Sequence, residues 1–302
     1  MTRKFKEYFK NPALIYETLG AHGLLKCMSD EKYLKKLFKI RIGKKLDLEN
    51  PKTFNEKLQW LKIHARKPEY TEMTDKVLAK NIVAEKIGEE YIIPTLGVYD
   101  KFSDINFDAL PEKFVIKCTH DSGSVIVVKD KNSMDKLAIK KRINKRLKLN
   151  YFNLLREWPY KNVKPKIIVE KYLEHDGDLP DYKFFCFDGK VKALYVATGR
   201  PYDTRFDFFD ENFNFLPFIN GHPNADVKAE RPANFEKMKI LAEKLSAGLA
   251  HVRIDLYSVN GRIYFGEFTF FHMSGLTPFK PEEWDYKFGE WLTLPKMEEN
   301  KN

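Results

Sequence analysis

One stretch decides the fold, and it reads His251-Val-Arg-Ile-Asp-Leu-Tyr-Ser-Val-Asn260-Gly261-Arg-Ile-Tyr-Phe-Gly-Glu-Phe-Thr269. An Asn-Gly pair between two runs of alternating apolar residues is the strongest short-range signal for a β-hairpin. With Asn260-Gly261 as a two-residue turn, Ser258 pairs with Ile263. The same register, with about one residue of slack, brings Asp255 close to Glu267.

This pair of carboxylates is the most informative feature for function. Two carboxylates on facing strands repel each other, so the arrangement does not serve stability. A hard cation between them would remove the repulsion, and Mg²⁺ is usually held by one or two carboxylates together with substrate phosphates. The pair therefore predicts a magnesium site at Asp255 and Glu267. The alternative is that one carboxylate points to solvent and pairs with Arg253 or Arg262.

Size and composition favour a globular cytoplasmic protein. The chain has 302 residues, of which 43% are hydrophobic and 14% aromatic, which is enough for a large core and two lobes. Its three cysteines are far apart, which fits a reducing compartment better than a disulfide framework. No apolar run approaches the roughly 18 residues of a membrane span, and the N-terminus lacks the pattern of a secretory signal.

The net charge of +10 favours anionic partners such as nucleotide phosphates, acidic glycans or lipid headgroups. Nucleic acid is not expected, since no RNP motif, zinc finger or basic zipper is present. The basic run at residues 140–148 has the pattern of a solvated helix face. An alternative for this run, and for residues 3–10, is peripheral contact with the inner face of the cell membrane.

The sequence pattern of the first part of the chain predicts helices, and we expect residues 1–65 to form an N-terminal helical region. Thr53 and Glu56 make a capping box that opens a helix. Residues 66–111 predict a linking α/β segment that contains a helix at 75–86. Strands at 114–118, 125–129 and 167–170, with one helix at about 133–157, predict a small lobe over residues 112–173.

Residues 174–302 predict a larger lobe. Three strands at about 182–187, 191–198 and 206–209 precede a helix at 234–248, which Asn234 would cap, and the hairpin follows. Frequent hairpins among mixed strands and helices indicate an α+β fold with antiparallel sheets.

The loop at residues 119–124 is a candidate phosphate-binding element, because it is small and polar and Lys117 and Lys129 flank it. Lys117 interrupts a strand that is otherwise apolar, and a buried lysine needs an anionic partner. The alternative is an ordinary hairpin with exposed lysines. Glu170 ends the third strand, where it would meet an adenine edge or, alternatively, be an exposed carboxylate.

In their order along the chain, these parts resemble the ATP-grasp superfamily. More narrowly, they resemble the TupA-like ATP-grasp family of bacterial surface polysaccharide and teichuronopeptide biosynthesis. The motifs that carry the resemblance are Asn50-Pro-Lys-Thr-Phe-Asn-Glu-Lys-Leu-Gln-Trp60, Thr74-Asp-Lys76, Phe114-Val-Ile-Lys-Cys-Thr-His-Asp-Ser-Gly123, Asp181-Tyr-Lys-Phe-Phe-Cys-Phe-Asp-Gly189, Val252-Arg-Ile-Asp-Leu-Tyr257 and Phe265-Gly-Glu-Phe-Thr269. The resemblance extends over residues 30–295 and implies two α+β lobes that enclose a cleft for ATP.

The resemblance also assigns residues by position. ATP would be bound by Lys76, Lys117, Ser122, Gly123, Ser124, Lys129, Glu170, Tyr172, Asp181 and Lys183. Mg²⁺ would be bound by Asp255, Glu267 and Thr269, although many members have Glu-x-Asn where this chain has Glu267-Phe-Thr269. A threonine offers a hydroxyl in place of an amide oxygen.

The implied reaction is that of a carboxylate–amine ligase, in which ATP phosphorylates a carboxylate and an amine attacks the acyl phosphate. Arg253 and Lys117 would neutralise the transferring phosphoryl group, and Arg200 or Arg205 would clamp the acceptor carboxylate. The alternative for these two arginines is an exposed loop. His120 and His272 are candidates for proton transfer or ordinary structural histidines.

The implied substrates are the carboxylate of a uronic acid, in a surface glycan or its lipid-linked precursor, and an amine from an amino acid or amino sugar. Three other functions stay open. Asp176-Gly-Asp178 has the DxD pattern of glycosyltransferases, a kinase on the same fold would leave a phosphorylated product, and a binding protein would have no activity. ATP or ADP with Mg²⁺ would stabilise the ligase, and a sugar nucleotide would stabilise the transferase.

Overall fold

The computed structural model describes residues 11–175, 177, 179–200 and 202–296. It begins with three helices, which are α1 (Pro12–Ala21), α2 (Asp30–Ile42) and α3 (Phe54–His64). The predicted capping box at the start of α3 is confirmed, since Thr53 accepts from the Glu56 backbone while the Glu56 side chain accepts from the Thr53 backbone. Within these described residues, no helix is long and apolar enough to cross a membrane.

The first lobe contains a four-stranded antiparallel sheet with the order β1-β4-β2-β3. Helices α4 (Pro68–Thr74) and α5 (Leu78–Ile87) precede it. Its strands are β1 (Thr95–Tyr99), β2 (Phe114–Cys118), β3 (Ile126–Val128) and β4 (Ile167–Lys171). A separate small core packs beneath this sheet and includes Ile116, Ile139, Ile143 and Ile167.

Two helices lie between β3 and β4, namely α6 (Lys136–Leu147) and α7 (Phe152–Leu155). The prediction of one helix at 133–157 is therefore wrong. The Asn150 side chain accepts from the Phe152 backbone N–H at 3.0 Å, which starts a new helical turn. Arg156 then ends α7 in the left-handed region, with φ 57°.

The second lobe contains a six-stranded sheet with the order β11-β10-β5-β6-β7-β8. Its strands are β5 (Asp181–Phe187), β6 (Lys190–Thr198), β7 (Arg205–Asp210), β8 (Phe215–Leu216), β10 (His251–Val259) and β11 (Arg262–Thr269). A short pair joins β9 (Ile219–Asn220) to β12 (Phe279–Lys280), and the C-terminal helix is α9 (Glu283–Trp291).

Helix α8 (Phe235–Ser246) packs on β5 and β10. Asn234 is its N-cap residue, as predicted, but the Asn234 side chain makes no capping hydrogen bond. The Asn234 side chain accepts from the Ser258 hydroxyl at 3.1 Å, which ties the helix to β10 instead. On the other face of the sheet, α3 and α9 bring Phe54 and Phe288 edge-on to Phe185. The large core is thus aromatic on the side of the N-terminal helices.

The hairpin of β10 and β11 has the predicted register, with Ser258 opposite Ile263 and Asp255 opposite Glu267. A shift after Asp255 pairs Leu256 with Phe265, so Gly266 is an extra residue in β11. A Cβ atom at Gly266 would lie 3.1 Å from the Asp255 carbonyl oxygen, which explains glycine in this bulge. The bulge puts Glu267, rather than Gly266, directly opposite Asp255.

Candidate active site

Charged side chains form a row across one face of the six-stranded sheet. In the β5–β10 pair, Lys183 lies opposite Asp255 and Asp181 lies opposite Tyr257. Residues two apart on a strand share a face, so Arg253 lies on this face as well. All four charged residues are buried, and buried charges need partners.

The row is internally paired around Asp255. Arg253 donates from Nε to Asp255 Oδ1 at 2.7 Å and from Nη2 to Oδ2 at 2.8 Å. Lys183 donates to Asp255 and lies 2.7 Å from Asp181, which also accepts from Arg200 at 2.8 Å. Burial alone would raise the pKa of Asp255, but Arg253 and Lys183 outweigh burial and hold that pKa well below its usual range. Asp255 is therefore ionised, and both of its oxygens accept hydrogen bonds.

Glu267 lies on the same face with more open surroundings. Its side chain is 36% exposed, whereas that of Asp255 is 1% exposed. It accepts from the Thr269 hydroxyl at 3.2 Å and lies 3.5 Å from Arg253 Nη2. Both acids thus contact Arg253 from one side of the sheet, and Glu267 is the one that reaches the surface of the site.

His272 supports Arg253 from beneath. Arg253 Nη1 donates to His272 Nδ1 at 2.9 Å. Since an arginine only donates, the ring proton is on Nε2, which donates to Asn220 Oδ1 at 2.8 Å. Burial, followed by the nearby Arg253 charge, lowers the pKa of His272 well below its usual value. His272 is therefore neutral and fixes the orientation of Arg253.

A narrow cleft, with about 10 Å³ of free volume, lies between the two lobes at this point. Lys76 and Lys117 line it from one side, and Glu267 lines it from the other. The remaining lining residues are Met73, Thr74, Ala79, Lys80, Ile92, Ile93, Glu170, Phe265, Gly266 and Phe268. Cationic groups from the first lobe therefore face the carboxylate of the second lobe across one cleft.

Glu170 is held by two lysines, with Lys117 Nζ and Lys80 Nζ each 2.6 Å from a carboxylate oxygen. Burial would raise the pKa of Glu170, but these two lysines together bring it below the usual value. Sequence reasoning missed Lys80. The only signal for it is its position near Lys76, four residues later and in the first turn of α5.

Lys76 connects the cleft to the loop at residues 119–124. Its Nζ donates to the Asp121 carbonyl oxygen at 2.5 Å. Burial lowers the pKa of Lys76, and the charge of Glu267 is the largest effect that opposes burial. Lys76 therefore binds the loop and is also stabilised as a cation by Glu267 of the opposite lobe.

The loop itself is attached to α6. Arg146 Nε lies 2.6 Å from Asp121 Oδ2, and Arg142 Nη2 donates to the Gly123 carbonyl oxygen at 3.1 Å. Ser124 is buried, donates to Asp121 Oδ1 at 2.5 Å and accepts from the Cys118 backbone at 2.8 Å. Ser122 and Gly123 are exposed at the tip, so these two are the loop residues available to a ligand.

The other predicted residues have varied positions. Lys129 is exposed just after β3 and does not line the cleft. Tyr172 is half-buried just after β4, with Lys113 Nζ 6.0 Å from its ring centre. Arg205 starts β7, where it binds Asp203 at 3.0 Å.

Two predicted features fall outside the described residues, namely Asp176 and Asp178 of the DxD triplet and the basic segment at 3–10. His120 lies within the described residues. Its Nε2 is 3.2 Å from the Arg146 carbonyl oxygen and 3.1 Å from that of Leu149, so it joins the loop to the end of α6.

The oxygens at Glu267 and Thr269 have the chemistry that a magnesium ion needs. Within the described parts of the chain, no three His, Cys, Asp or Glu side chains converge into a cage for a metal. Glu267 and the Thr269 hydroxyl nevertheless present oxygens together, 3.2 Å apart. Mg²⁺ commonly takes one or two carboxylates and completes its shell with water and phosphate oxygens. These residues therefore fit an ion that arrives with a nucleotide.

A family model for TupA-like ATP-grasp proteins matches residues 56–293. The chain belongs to the TupA-like ATP-grasp family. The match covers both lobes, including the cleft lysines and the β10–β11 hairpin. The predicted ATP-grasp fold, an α+β fold with antiparallel sheets, is confirmed.

Solved ATP-grasp structures show a more distant likeness. D-alanine–D-alanine ligase from Bacillus anthracis, complexed with ATP, is 19% identical with a TM-score of 0.37 over 65% of this chain and 53% of that one. L-amino acid ligase from Bacillus licheniformis is 13% identical with a TM-score of 0.39 over 65% and 42%. The ligase PsnB, complexed with minimal precursor, Mg and ADP, is 10% identical with a TM-score of 0.39 over 71% and 57%. This TupA-like protein thus spans about half the length of these chains, and no curated protein matches it.

Proposed function

We propose that this ATP-grasp protein is an ATP- and Mg²⁺-dependent carboxylate–amine ligase that forms an amide through an acyl phosphate. One observation carries the proposal, which is that Lys76 and Lys117 face Glu267 across a single cleft. Phosphoryl transfer depends mainly on positioning and on neutralising charge. Lysines on one wall and a carboxylate on the other suit a triphosphate and its divalent ion.

In this proposal, Lys76 and Lys117 bind the phosphates. Glu170 holds Lys117 toward the cleft, with Lys80 as its second partner, while Glu170 and the backbone near Tyr172 border the adenine. The exposed tip at Ser122 and Gly123 covers the phosphates, and Lys76 ties its movement to the nucleotide. A closed loop would exclude water from the acyl phosphate.

Glu267 and Thr269 would hold the magnesium ion, which when bound would neutralise charge on the phosphates. Asp255 is the neighbouring acid, and it already accepts from Arg253 and Lys183. Its role is to fix Arg253, whose Nη2 also donates to the Thr269 hydroxyl at 3.0 Å. Arg253 is thereby positioned to neutralise negative charge beside the metal ligands without a protein nucleophile.

The proposed acceptor is a uronic-acid carboxylate of a surface polysaccharide or its lipid-linked precursor, and the amine comes from an amino acid or amino sugar. The net charge of +10 supports an acidic substrate. Arg205 is the proposed clamp for the carboxylate, because its partner Asp203 is 74% exposed, whereas Arg200 is held by the buried Asp181. We place this reaction in the cytoplasm, at the inner face of the cell membrane.

The test is product analysis with purified protein, ATP, Mg²⁺, a set of uronic acids and a mixture of amino acids. Mass spectrometry should find a product equal to acid plus amine minus one water, with one ADP released for each amide. Hydroxylamine should replace the amine and give a hydroxamate, which is the signature of an acyl phosphate. A stable phosphorylated sugar that forms without the amine would show a kinase instead. Transfer from a sugar nucleotide without ATP would show a glycosyltransferase.

A further inference from the structure

A second concave surface lies away from the cleft, between the segment after α1 and helix α6. We call it the basic groove. It is lined by Ala21, His22, Gly23, Lys26, Lys141, Asn144, Lys145, Lys148, Leu149, Asn150 and Asn153, around a cavity of about 700 Å³. Sites for one small molecule usually enclose roughly 300–1,000 Å³, so the groove has the size of a ligand-binding site.

Helix α6 has three distinct faces. Ile139 and Ile143 are buried in the core of the small lobe. Arg142 and Arg146 bind the loop at residues 119–124. The third face consists of Lys141, Asn144, Lys145 and Lys148, which are spaced three and four residues apart and line the groove.

The positive charge of the groove is not balanced. Across the described ranges, no carboxylate lies in ion-pair contact with Lys26, Lys141, Lys145 or Lys148, whereas Arg146 on the neighbouring face is paired with Asp121 at 2.6 Å. Like charges that line a concave surface repel each other and concentrate anions there. Such an arrangement does not help folding, so a ligand is its simplest explanation.

We propose that the basic groove binds an acidic oligosaccharide with repeated carboxylates. This inference rests on the proposed function, because it identifies the ligand as the sugar polymer of the proposed glycan substrate. Lys141 and Lys148 are seven residues apart, about 10 Å along a helix, which one small anion cannot span. Amides at Asn144 and Asn153 can both donate to and accept from sugar hydroxyls between the charges. A concave polar surface suits a glycan better than the flat surface of a membrane.

The groove is connected to the cleft through the loop at 119–124. Leu149 lines the groove, and its carbonyl oxygen lies 3.1 Å from His120 Nε2. Arg146 donates from the next face of α6 to Asp121, which in turn accepts from Lys76. A long glycan held in the groove would therefore lie behind the helix that anchors the loop. Longer acceptors should then show a lower KM with little change in kcat.

The test compares two double variants of equal net charge in the full-length protein. Lys145→Gln with Lys148→Gln removes charge from the groove, and Lys101→Gln with Lys140→Gln is the matched control. Lys101 and Lys140 are exposed outside the groove, and Lys140 lies on the same helix. Calorimetric binding of oligogalacturonates without ATP should weaken about tenfold or more in the groove variant and less than twofold in the control.

Three results would overturn the proposal: equal weakening in both variants, no binding of oligogalacturonates by the unmodified protein, or groove-dependent binding of phosphatidylglycerol vesicles alone. The vesicles are included because Leu24, beside the groove, is 70% exposed. ATP turnover with monomeric galacturonate tests the ligase reaction independently of the groove. If that turnover is retained while oligogalacturonates do not bind, only the groove assignment fails. If oligogalacturonates bind the groove and no acceptor supports turnover, only the ligase assignment fails.

Discussion

Asp255 and Glu267 face each other in the hairpin, but their surroundings give them different roles. Asp255 is 1% exposed, and Arg253 and Lys183 both donate to it. Glu267 is 36% exposed, accepts from the Thr269 hydroxyl and has a longer contact with Arg253. The sequence allowed two interpretations of this pair, and the structure contains a part of each. Asp255 is paired with Arg253, while Glu267 faces the cleft.

Glu267→Gln should reduce Mg²⁺-dependent ATP turnover by about 100-fold or more, because an amide cannot neutralise the ion. The fold should be retained, since this side chain is 36% exposed and reaches the surface of the site. ADP release across a range of Mg²⁺ concentrations and thermal unfolding measure the two effects. Undiminished ADP release would remove Glu267 from the metal site.

Asp255→Asn should instead destabilise the protein by about 3–5 kcal/mol, because Arg253 and Lys183 would be left buried without their shared anion. Urea unfolding measures this change. Glu267→Gln, in the same hairpin, is the matched control and should shift the midpoint far less. Equal shifts in the two variants would contradict the different roles that the contacts assign to these acids.

Lys117→Ala should weaken ATP binding about tenfold or more, because the phosphates lose a cation that faces them across the cleft. Lys80 still holds Glu170 in this variant, so the wall of the cleft should remain in place. Lys129→Ala is the control, as this lysine is exposed and does not line the cleft. An unchanged dissociation constant for Lys117→Ala would show that Lys117 does not bind the nucleotide.

At the scale of elements, α9 docks on the start of α3 through one buried acid. Asp285 accepts from the Asn55 backbone at 2.9 Å and from the Asn55 side chain at 2.8 Å. Despite these donors, burial raises the pKa of Asp285 to about 6. An unfolded aspartate titrates near pH 3.9, so the folded state retains a proton that the unfolded state has already lost.

The contribution of Asp285 to stability should therefore be full below about pH 4 and decline as the pH rises to about 6. The sign follows because the folded state binds more protons than the unfolded state in this window. Urea unfolding of the unmodified protein and Asp285→Asn, measured side by side from pH 4 to 7, isolates this group from the other carboxylates. A stability difference that stays constant with pH would contradict the raised pKa.

The sequence predicts elements well where their signals are local. The capping box at Thr53 and the turn at Asn260-Gly261 each depend on hydrogen bonds within four residues, and both are confirmed. The expectation of one helix at 133–157 follows from apolar periodicity, which does not register the turn that Asn150 makes with the Phe152 backbone before α7. The capping hydrogen bond expected from the Asn234 side chain is replaced by one with Ser258, a partner 24 residues away.

At the scale of the whole molecule, a nucleotide that binds both lobes should stabilise the folded protein. ATP or ADP with Mg²⁺ at about 100 times its dissociation constant should add about 2.7 kcal/mol. Thermal unfolding should therefore occur several degrees higher. UDP- and GDP-sugars at the same concentrations are the controls. A larger shift with a sugar nucleotide than with ATP would favour the glycosyltransferase.

By itself, the sequence determined the family, the hairpin and the residue types of the site. Periodicity, turn chemistry and the quoted motifs all act within short segments, which a single chain displays directly. Lys117 could be identified as a candidate for the same reason. It interrupts an apolar strand, and a buried charge needs a partner wherever it lies.

Only the tertiary structure decided which groups meet. The bulge at Gly266 selects Glu267 as the partner of Asp255, and the packing of the lobes brings it to the same cleft as Lys76 and Lys117. The pairing of Lys80 with Glu170, and the groove between α1 and α6, join segments about 90 and 120 residues apart. Such encounters follow from the packing of whole sheets and helices, which no local pattern of residues records.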